Sequence, residues 1–171
     1  MILVPPALSE RDKVYYVAQT KTVTMDTIGK AIAEGIGFVE ERLIKQGIVP
    51  SGPPLIRYRV IDMARALEIE VGWCVEKPAV VDGDFVSDEL PAGTYATLTF
   101  CDPREGVAGN GALIRWAHEN GIEFEQWESA EGDRFLSRVE FELSDPEKEP
   151  DQSKWRTEVA ILIKKKSPLR T

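Results

Sequence analysis

The stretch PLIRYRVIDMARALEIEVGWCV, residues 54–75, is the part of the sequence that decides the fold. Two segments in it, 54–62 and 66–75, alternate between apolar and polar residues. This period of two is typical of a strand whose two faces differ in polarity. Only residues 63–65 separate the segments, a connection short enough for a β-hairpin. The stretch therefore predicts two adjacent antiparallel strands.

A strand and a helix are predicted upstream of this hairpin. Residues 13–23 are rich in β-branched and aromatic side chains, which favours a strand. Across residues 26–46 apolar side chains recur every three or four positions, which predicts a helix with one apolar stripe. Gly47 follows and can adopt the left-handed conformation that ends a helix. The first half is therefore predicted to be β-α-β-β.

The second half repeats this order. Residues 93–102 are predicted to form a strand, and a helix is expected from about residue 106 or 108 to residue 120. Alternation then predicts strands over 134–146 and 155–164. A polar stretch, residues 76–93, is expected to bridge the two halves.

Short matching phrases also relate the halves. KQGI (45–48) ends the first predicted helix and ENGI (119–122) ends the second, while YYVAQT (15–20) and TYATLT (94–99) place a tyrosine in each first strand. Matching elements in the same order indicate an internal duplication.

The predicted fold class is α+β. Two βαββ units, about 13–76 and 93–164, are expected to form one antiparallel sheet with two long helices on one side. A cleft at the pseudo-twofold axis would be the natural ligand site. Residues 1–171 are treated as a single domain.

Composition argues against several classes of protein. The chain has 171 residues, a net charge of −8 and a pI near 4.8, and this acidity opposes nucleic-acid binding. The one basic run, residues 163–167, is expected to be a solvated tail. No apolar stretch approaches the roughly 20 residues that span a membrane, and residues 1–13 do not resemble a secretory signal. We expect a soluble, cytoplasmic protein.

Catalytic and metal-binding motifs are missing from the sequence. Cys74 and Cys101 lie far apart and His118 has no partner motif, so no zinc site is predicted and buried free thiols are expected. Neither a GxSxG motif nor a complete phosphate-binding loop occurs. No cofactor is expected.

The predicted strand over 134–146 carries the most informative charges. Arg138, Glu140 and Glu142 share one of its faces. If that face looks into a cleft, burial raises the pKa of an unpaired carboxyl, and a cationic ligand would relieve the cost. If the face looks into water, the same glutamates are ordinary surface residues.

Residues 52–75 are followed, in order, by LPAGTYATLTFCDP, LIRWAHENGI, VEFELSDPEKEP and WRTEVAILIK. In these stretches the sequence resembles the GyrI-like, or AraC-type effector-binding, small-molecule-binding domains. The resemblance implies a duplicated βαββ fold with an aromatic cleft that takes hydrophobic, often cationic, compounds. It also implies that Glu140 is the acidic anchor, because EFELSDP matches the motif Glu-x-Tyr-Leu-x-Asp-Pro. Glu142 replaces the tyrosine of that motif, and Cys74 replaces a frequent proline. Many members carry a DNA-binding module. Because only about a dozen residues precede the first predicted strand, we expect no such module here.

Aromatic residues supply candidates for the walls of the cleft, since a ring can hold a cation over its face. Tyr58, Trp116 and Tyr95 are the preferred wall residues. Trp73 shares a face with apolar residues and is expected to point toward a helix, and Trp127 lies in a predicted loop that could close the cleft.

The expected function is a stand-alone binder of amphipathic or cationic drug-like compounds, acting as a multidrug-type sensor or a sequestering protein. The alternative is a hydrolase that detoxifies reactive small molecules in the same cleft, a reaction that the resemblance implies for some members. A third hypothesis is that the protein inhibits a larger enzyme. The expected partner is a small molecule, and neither a nucleic acid nor a membrane is expected. A homodimer is a further possibility that the sequence does not decide.

Overall fold

A computed structural model of the chain describes residues 1–165, which contain two α-helices, two short 3₁₀-helices and ten strands. Helix α1 spans Ile28–Lys45 and helix α2 spans Gly106–Glu119. The strands are β1 (Ile2–Arg11), β2 (Val14–Val23), β3 (Pro54–Ile61), β4 (Leu67–Val75), β5 (Phe85–Leu90), β6 (Gly93–Cys101), β7 (Gln126–Ser129), β8 (Gly132–Phe135), β9 (Arg138–Glu142) and β10 (Arg156–Leu162).

All the strand pairs are antiparallel, and the sheet is open. Its order is β1-β6-β10-β9-β3-β4-β2-β5, and the β7–β8 hairpin attaches beside β3. The predicted α+β class with one large antiparallel sheet is confirmed. The hairpin predicted from residues 54–75 is the β3–β4 pair.

Both halves show the predicted β-α-β-β order. The first is β2-α1-β3-β4, and the second is β6-α2-β9-β10 with the β7–β8 hairpin inserted after its helix. The helices differ in length: α1 has 18 residues and α2 has 14, so only α1 is long.

The two helices end in the same way. Gly47 and Gly121 have φ angles of 68° and 65°, the left-handed conformation that glycine tolerates best. The next residue then donates its N–H back into the helix, from Ile48 to the Leu43 oxygen and, in α2, from Ile122 to the Ala117 oxygen. These closures match the Schellman motif and confirm the predicted helix ends.

Two strands form where none was predicted. The first residues of the chain form β1, which pairs with β6 at one edge of the sheet. The expected polar bridge contains β5, which pairs with β2 at the other edge. Both segments depart from clean alternation, and an edge strand needs a partner on one side only, so its sequence is less restricted.

The strand predicted over 134–146 is two strands. Phe135 ends β8 and Arg138 begins β9, and between them the Leu136 N–H bonds to the Glu125 oxygen outside the sheet ladder. β8 pairs with β7 and β3, whereas β9 pairs with β3 and β10. The alternation is interrupted at Leu136 and Ser137, and Phe135 packs under α2 whereas Val139 packs on the opposite face of the sheet. The prediction of one continuous strand is therefore wrong.

Both helices lie on one face of the sheet, which we call the helix face. α1 packs mainly against β4 and β2, and α2 packs mainly against β6 and β1. Strands β10, β9 and β3 lie between these two areas. We call the space above them, between the helices, the interhelical groove.

The opposite face carries a core of its own. Tyr16 from β2, Leu90 from β5, Tyr95 from β6 and Val139 from β9 belong to one buried cluster. Because β5 and β6 are far apart in the strand order, the sheet must curve to bring their side chains together.

Several smaller expectations concern single residues. Cys74 and Cys101 are buried and unbonded, as predicted, and His118 is exposed in the last turn of α2. The basic run 163–167 extends past residue 165 and lies partly outside the described residues. No helix within residues 1–165 is long and apolar enough to cross a membrane.

Candidate functional site

Strand register places Glu140 on the floor of the interhelical groove. Glu140 stands opposite Ile56 of β3 and Val159 of β10. Residues directly opposite in an antiparallel sheet point to the same face. Ile56 belongs to the cluster under α1 and Val159 to the cluster under α2, so Glu140 lies between the two helix-packed areas. It is partly exposed there.

Two other predicted residues share this floor. Tyr58 lies two positions from Ile56 on the same face and is 9% exposed. Burial and the neighbouring negative charge of Glu140 raise the pKa of the Tyr58 hydroxyl well above its ordinary value. Glu142 follows Glu140 on the same face and is also partly exposed. The structure thus brings Tyr58, Glu140 and Glu142 together.

Both carboxyl groups are harder to ionise than in water. Burial raises the pKa of Glu140, and the Tyr58 hydroxyl and the Arg138 charge only partly oppose this effect. Burial and the charge of Glu140 raise the pKa of Glu142 to about 7, although the Thr157 hydroxyl donates to its Oε2 at 3.1 Å. Neither carboxylate forms an ion pair with another residue of the described chain.

Arg138 and Asn110 are groove residues that sequence reasoning did not select. Arg138 precedes Glu140 by two positions and its guanidinium lies 5.9 Å from the Tyr58 ring centre and 4.8 Å from that of Phe135. Its Nη2 donates to Asn110 Oδ1 at 2.9 Å, which ties β9 to α2. Alternation already placed Arg138 on the Glu140 face, and this was the available signal. No local pattern marked Asn110.

Tyr95 was predicted to be a wall residue and Trp73 was a further candidate, but neither lies beside Glu140. Tyr95 lies on the opposite face of the sheet, where its hydroxyl donates to the Pro91 oxygen at 2.7 Å and bonds Ser137 Oγ at 3.0 Å. Trp73 faces α1, as predicted, and its Nε1 donates to the Ile36 oxygen at 2.9 Å. Both rings are therefore held by structural contacts.

Trp116 and Trp127 also lie away from Glu140. Trp116 is six residues beyond Asn110, about 120° further around the helix, and packs into the cluster between α2 and β6. Trp127 is on β7 rather than in a loop, and its side chain is 51% exposed. Only the wall residue Tyr58 therefore lies beside the two glutamates.

A cavity of about 490 Å³ opens elsewhere, on the face opposite the helices. Phe141 and Cys74 line it, together with Arg11 and Glu158. Arg11 and Glu158 form a bidentate ion pair, with N–O distances of 2.6 and 2.9 Å. The charges of Arg11 and Glu158 therefore compensate each other, whereas Glu140 and Glu142 form no ion pair within the described residues.

The fold and the groove define a class of protein: a duplicated βαββ domain with a polar floor between two helices, suited to holding a small molecule. The chain belongs to the GyrI-like small molecule binding domain family, whose model matches residues 5–164. The resemblance seen in the sequence is confirmed. Among curated proteins no match was found.

Solved structures share the fold at low sequence identity. The crystal structure of the EcmrR C-terminal domain is 17% identical, with a TM-score of 0.76 over 96% of this chain and 99% of that one. The chain spans 59% of the full EcmrR chain in a cryo-EM complex with DNA. SAV2435 bound to tetraphenylphosphonium is 11% identical (TM-score 0.54, 93% of each chain), and a hydrolase from Listeria innocua is 13% identical (TM-score 0.58, 94% of this chain and 92% of that one).

Proposed function

We propose that this protein binds amphipathic cationic small molecules in the interhelical groove, with Glu140 as the principal anchor. Glu142 supplies a second carboxylate and Tyr58 an aromatic surface. The observation that carries the proposal is a pair of neighbouring, partly exposed carboxylates whose pKa values are raised and which have no ion pair within the described chain.

A cation in the groove would offset the free-energy cost of ionising these two carboxyl groups. A carboxylate that is partly removed from water loses hydration, and an opposite charge nearby restores favourable electrostatic energy. An amphipathic ligand would also bury apolar surface against Tyr58 and the helix sides. SAV2435, a neighbour in fold, is described with tetraphenylphosphonium bound, which makes this compound a suitable first probe. Binding of several such compounds, as a multidrug sensor or sequestering protein does, belongs to the same proposal.

Calorimetric titration tests the charge preference directly. The probes are tetraphenylphosphonium and tetraphenylborate, which have nearly the same shape and opposite charge. We expect the cation to bind and Glu140→Gln to weaken it at least tenfold, roughly 1.4 kcal/mol. Tetraphenylborate should bind at least tenfold more weakly than the cation.

Glu158→Gln is the matched control, because it removes a strand carboxylate from the cavity on the opposite face. We expect this variant to bind tetraphenylphosphonium like the wild type. Equal binding of both ions, or an unchanged affinity in Glu140→Gln, would contradict the proposal. Loss of binding in Glu158→Gln alone would place the binding site in the cavity on the opposite face.

Hydrolysis of a reactive small molecule in the same groove is a second candidate. The pKa of Glu142, about 7, puts this carboxyl in the range where a general base works at neutral pH. Incubation with a strained electrophile, followed by product analysis for wild type and Glu142→Gln, separates the candidates. Turnover that depends on Glu142 favours the hydrolase, and binding without turnover rejects it for that compound.

A further inference from the structure

We propose that Arg138 is a resident cation that occupies the ligand position of the groove and must be displaced when a cationic ligand binds. The inference rests on the proposed function of the groove and adds the residue that sets its selectivity. Cations with a large aromatic surface would be selected, and small hydrophilic cations would be excluded.

The position of the guanidinium is that expected of a bound cation. It lies within 6 Å of two aromatic ring centres, those of Tyr58 and Phe135, the range in which a cation is attracted to a ring face. It comes from the same strand face as Glu140. Burial lowers the pKa of Arg138, and the negative charge of Glu140 only partly opposes this effect. An external cation that used Tyr58 and Glu140 would need the same space.

Arg138 is also held loosely enough to leave. Its single hydrogen bond to a described residue is the one to Asn110, and its Nε is buried without a partner there. Arg57, a buried arginine on the opposite face, also has an unpartnered Nε but donates three hydrogen bonds, to Tyr16 Oη and to the Glu89 and Leu136 oxygens, at 2.7–3.0 Å. A long side chain with one such bond loses little when a better-fitting cation replaces it.

The binding test compares arginine variants by titration with tetraphenylphosphonium and with tetramethylammonium. In Arg138→Met we expect at least tenfold tighter binding of tetraphenylphosphonium and measurable binding of tetramethylammonium. Asn110→Ala, which releases the guanidinium without removing its charge, should tighten tetraphenylphosphonium binding about threefold. Arg134→Met is the control, because it removes a nearby strand charge that pairs with Glu131 instead of stacking on the rings. Its effect should stay within twofold.

A ligand-free measurement separates this inference from the proposed function. If the charge of Arg138 compensates that of Glu140, Arg138→Met should lower the urea midpoint of unfolding. When Glu140→Gln is already present, adding Arg138→Met should lower the midpoint by no more than half as much. A loss that is the same in both backgrounds overturns the inference even if no ligand binds. Unchanged or weaker cation binding in both Arg138→Met and Asn110→Ala overturns it as well, while an affinity that still depends on Glu140 would leave the proposed function standing.

Discussion

At the scale of single residues, Glu142 is a carboxyl group in an environment that disfavours its charge. The family motif places a tyrosine at this position, whereas this chain places a second carboxyl beside Glu140 on the groove floor. Burial and the Glu140 charge hold the pKa of Glu142 near 7, above the ordinary value of 4.5. A proton is therefore bound more tightly in the folded protein than in the unfolded chain.

The free energy of unfolding should consequently fall as the pH rises. Between pH 4.5 and about 7 the unfolded chain releases this proton and the folded protein retains it, so stability is lost across that window and stays lower above it. We expect Glu142 to account for a loss on the order of 1–3 kcal/mol. Urea unfolding at a series of pH values checks this.

Glu142→Gln should flatten the pH profile, because the amide has no proton to release. Its gain in stability over the wild type should appear above pH 7 and disappear near pH 4.5. A profile with the wild-type slope would show that Glu142 is hydrated like a surface carboxylate in the folded protein.

At the scale of elements, one glycine in each helix allows that helix to lie close to the sheet. A Cβ atom on Gly35 would lie 2.9 Å from Val71 Cβ, and one on Gly109 would lie 2.7 Å from Phe100 Cδ1. A glycine therefore allows close approach in both helices, although Gly35 meets β4 and Gly109 meets β6, which are not equivalent strands of the two halves. A Cβ on Gly37 would meet nothing within 4 Å. Gly35 therefore allows close packing of α1 on the sheet, whereas Gly37 lies where there is free space.

Two alanine substitutions in the same helix should have opposite effects. Gly37→Ala should stabilise the protein by up to about 1 kcal/mol, because alanine is the better helix former and space is free. Gly35→Ala should destabilise it by about 1–2 kcal/mol, since the added methyl group overpacks against β4. Thermal and urea unfolding measure both. Equal effects of the two variants would mean that α1 shifts freely on the sheet.

At the scale of the whole molecule, a buried polar network joins strands that are distant in the chain. Arg57, 3% exposed on β3, donates to the Tyr16 hydroxyl of β2, the Glu89 oxygen of β5 and the Leu136 oxygen between β8 and β9. The Tyr16 hydroxyl in turn bonds Glu70 of β4 at 2.5 Å. The network closes the curved face of the sheet, on the side away from the groove.

Arg57→Ala should therefore cost about 3–5 kcal/mol of unfolding free energy, because several buried groups lose their partner at once. Arg65→Ala is the control: its side chain is 67% exposed and pairs with Asp62 on the surface, so a change under about 1 kcal/mol is expected. Urea unfolding with full titration curves measures both. A cost for Arg57→Ala as small as that of the control would contradict a closing role for the network.

Much of the fold could be predicted because its signals are local. Alternation marked β3 and β4, the apolar stripe marked α1, and Gly47 and Gly121 marked the helix ends, since each depends on a few neighbouring residues. The repeated order then indicated the duplication, and the motif around Glu140 selected the anchor residue that we propose. Strands β1 and β5 were missed because edge pairing leaves little trace in a sequence.

The sequence by itself determined which side chains share a strand face, and so that Arg138, Glu140 and Glu142 would point the same way. Only the tertiary structure decided that this face is the one between the helices, because a period of two does not say which side of a sheet is covered. Register between β3 and β9, which joins residues more than 80 positions apart, brought Tyr58 to the glutamates. Pairing of β6 with β10 left Tyr95 on the opposite face. The packing of α2 likewise set Asn110 against Arg138, a contact that no local pattern encodes.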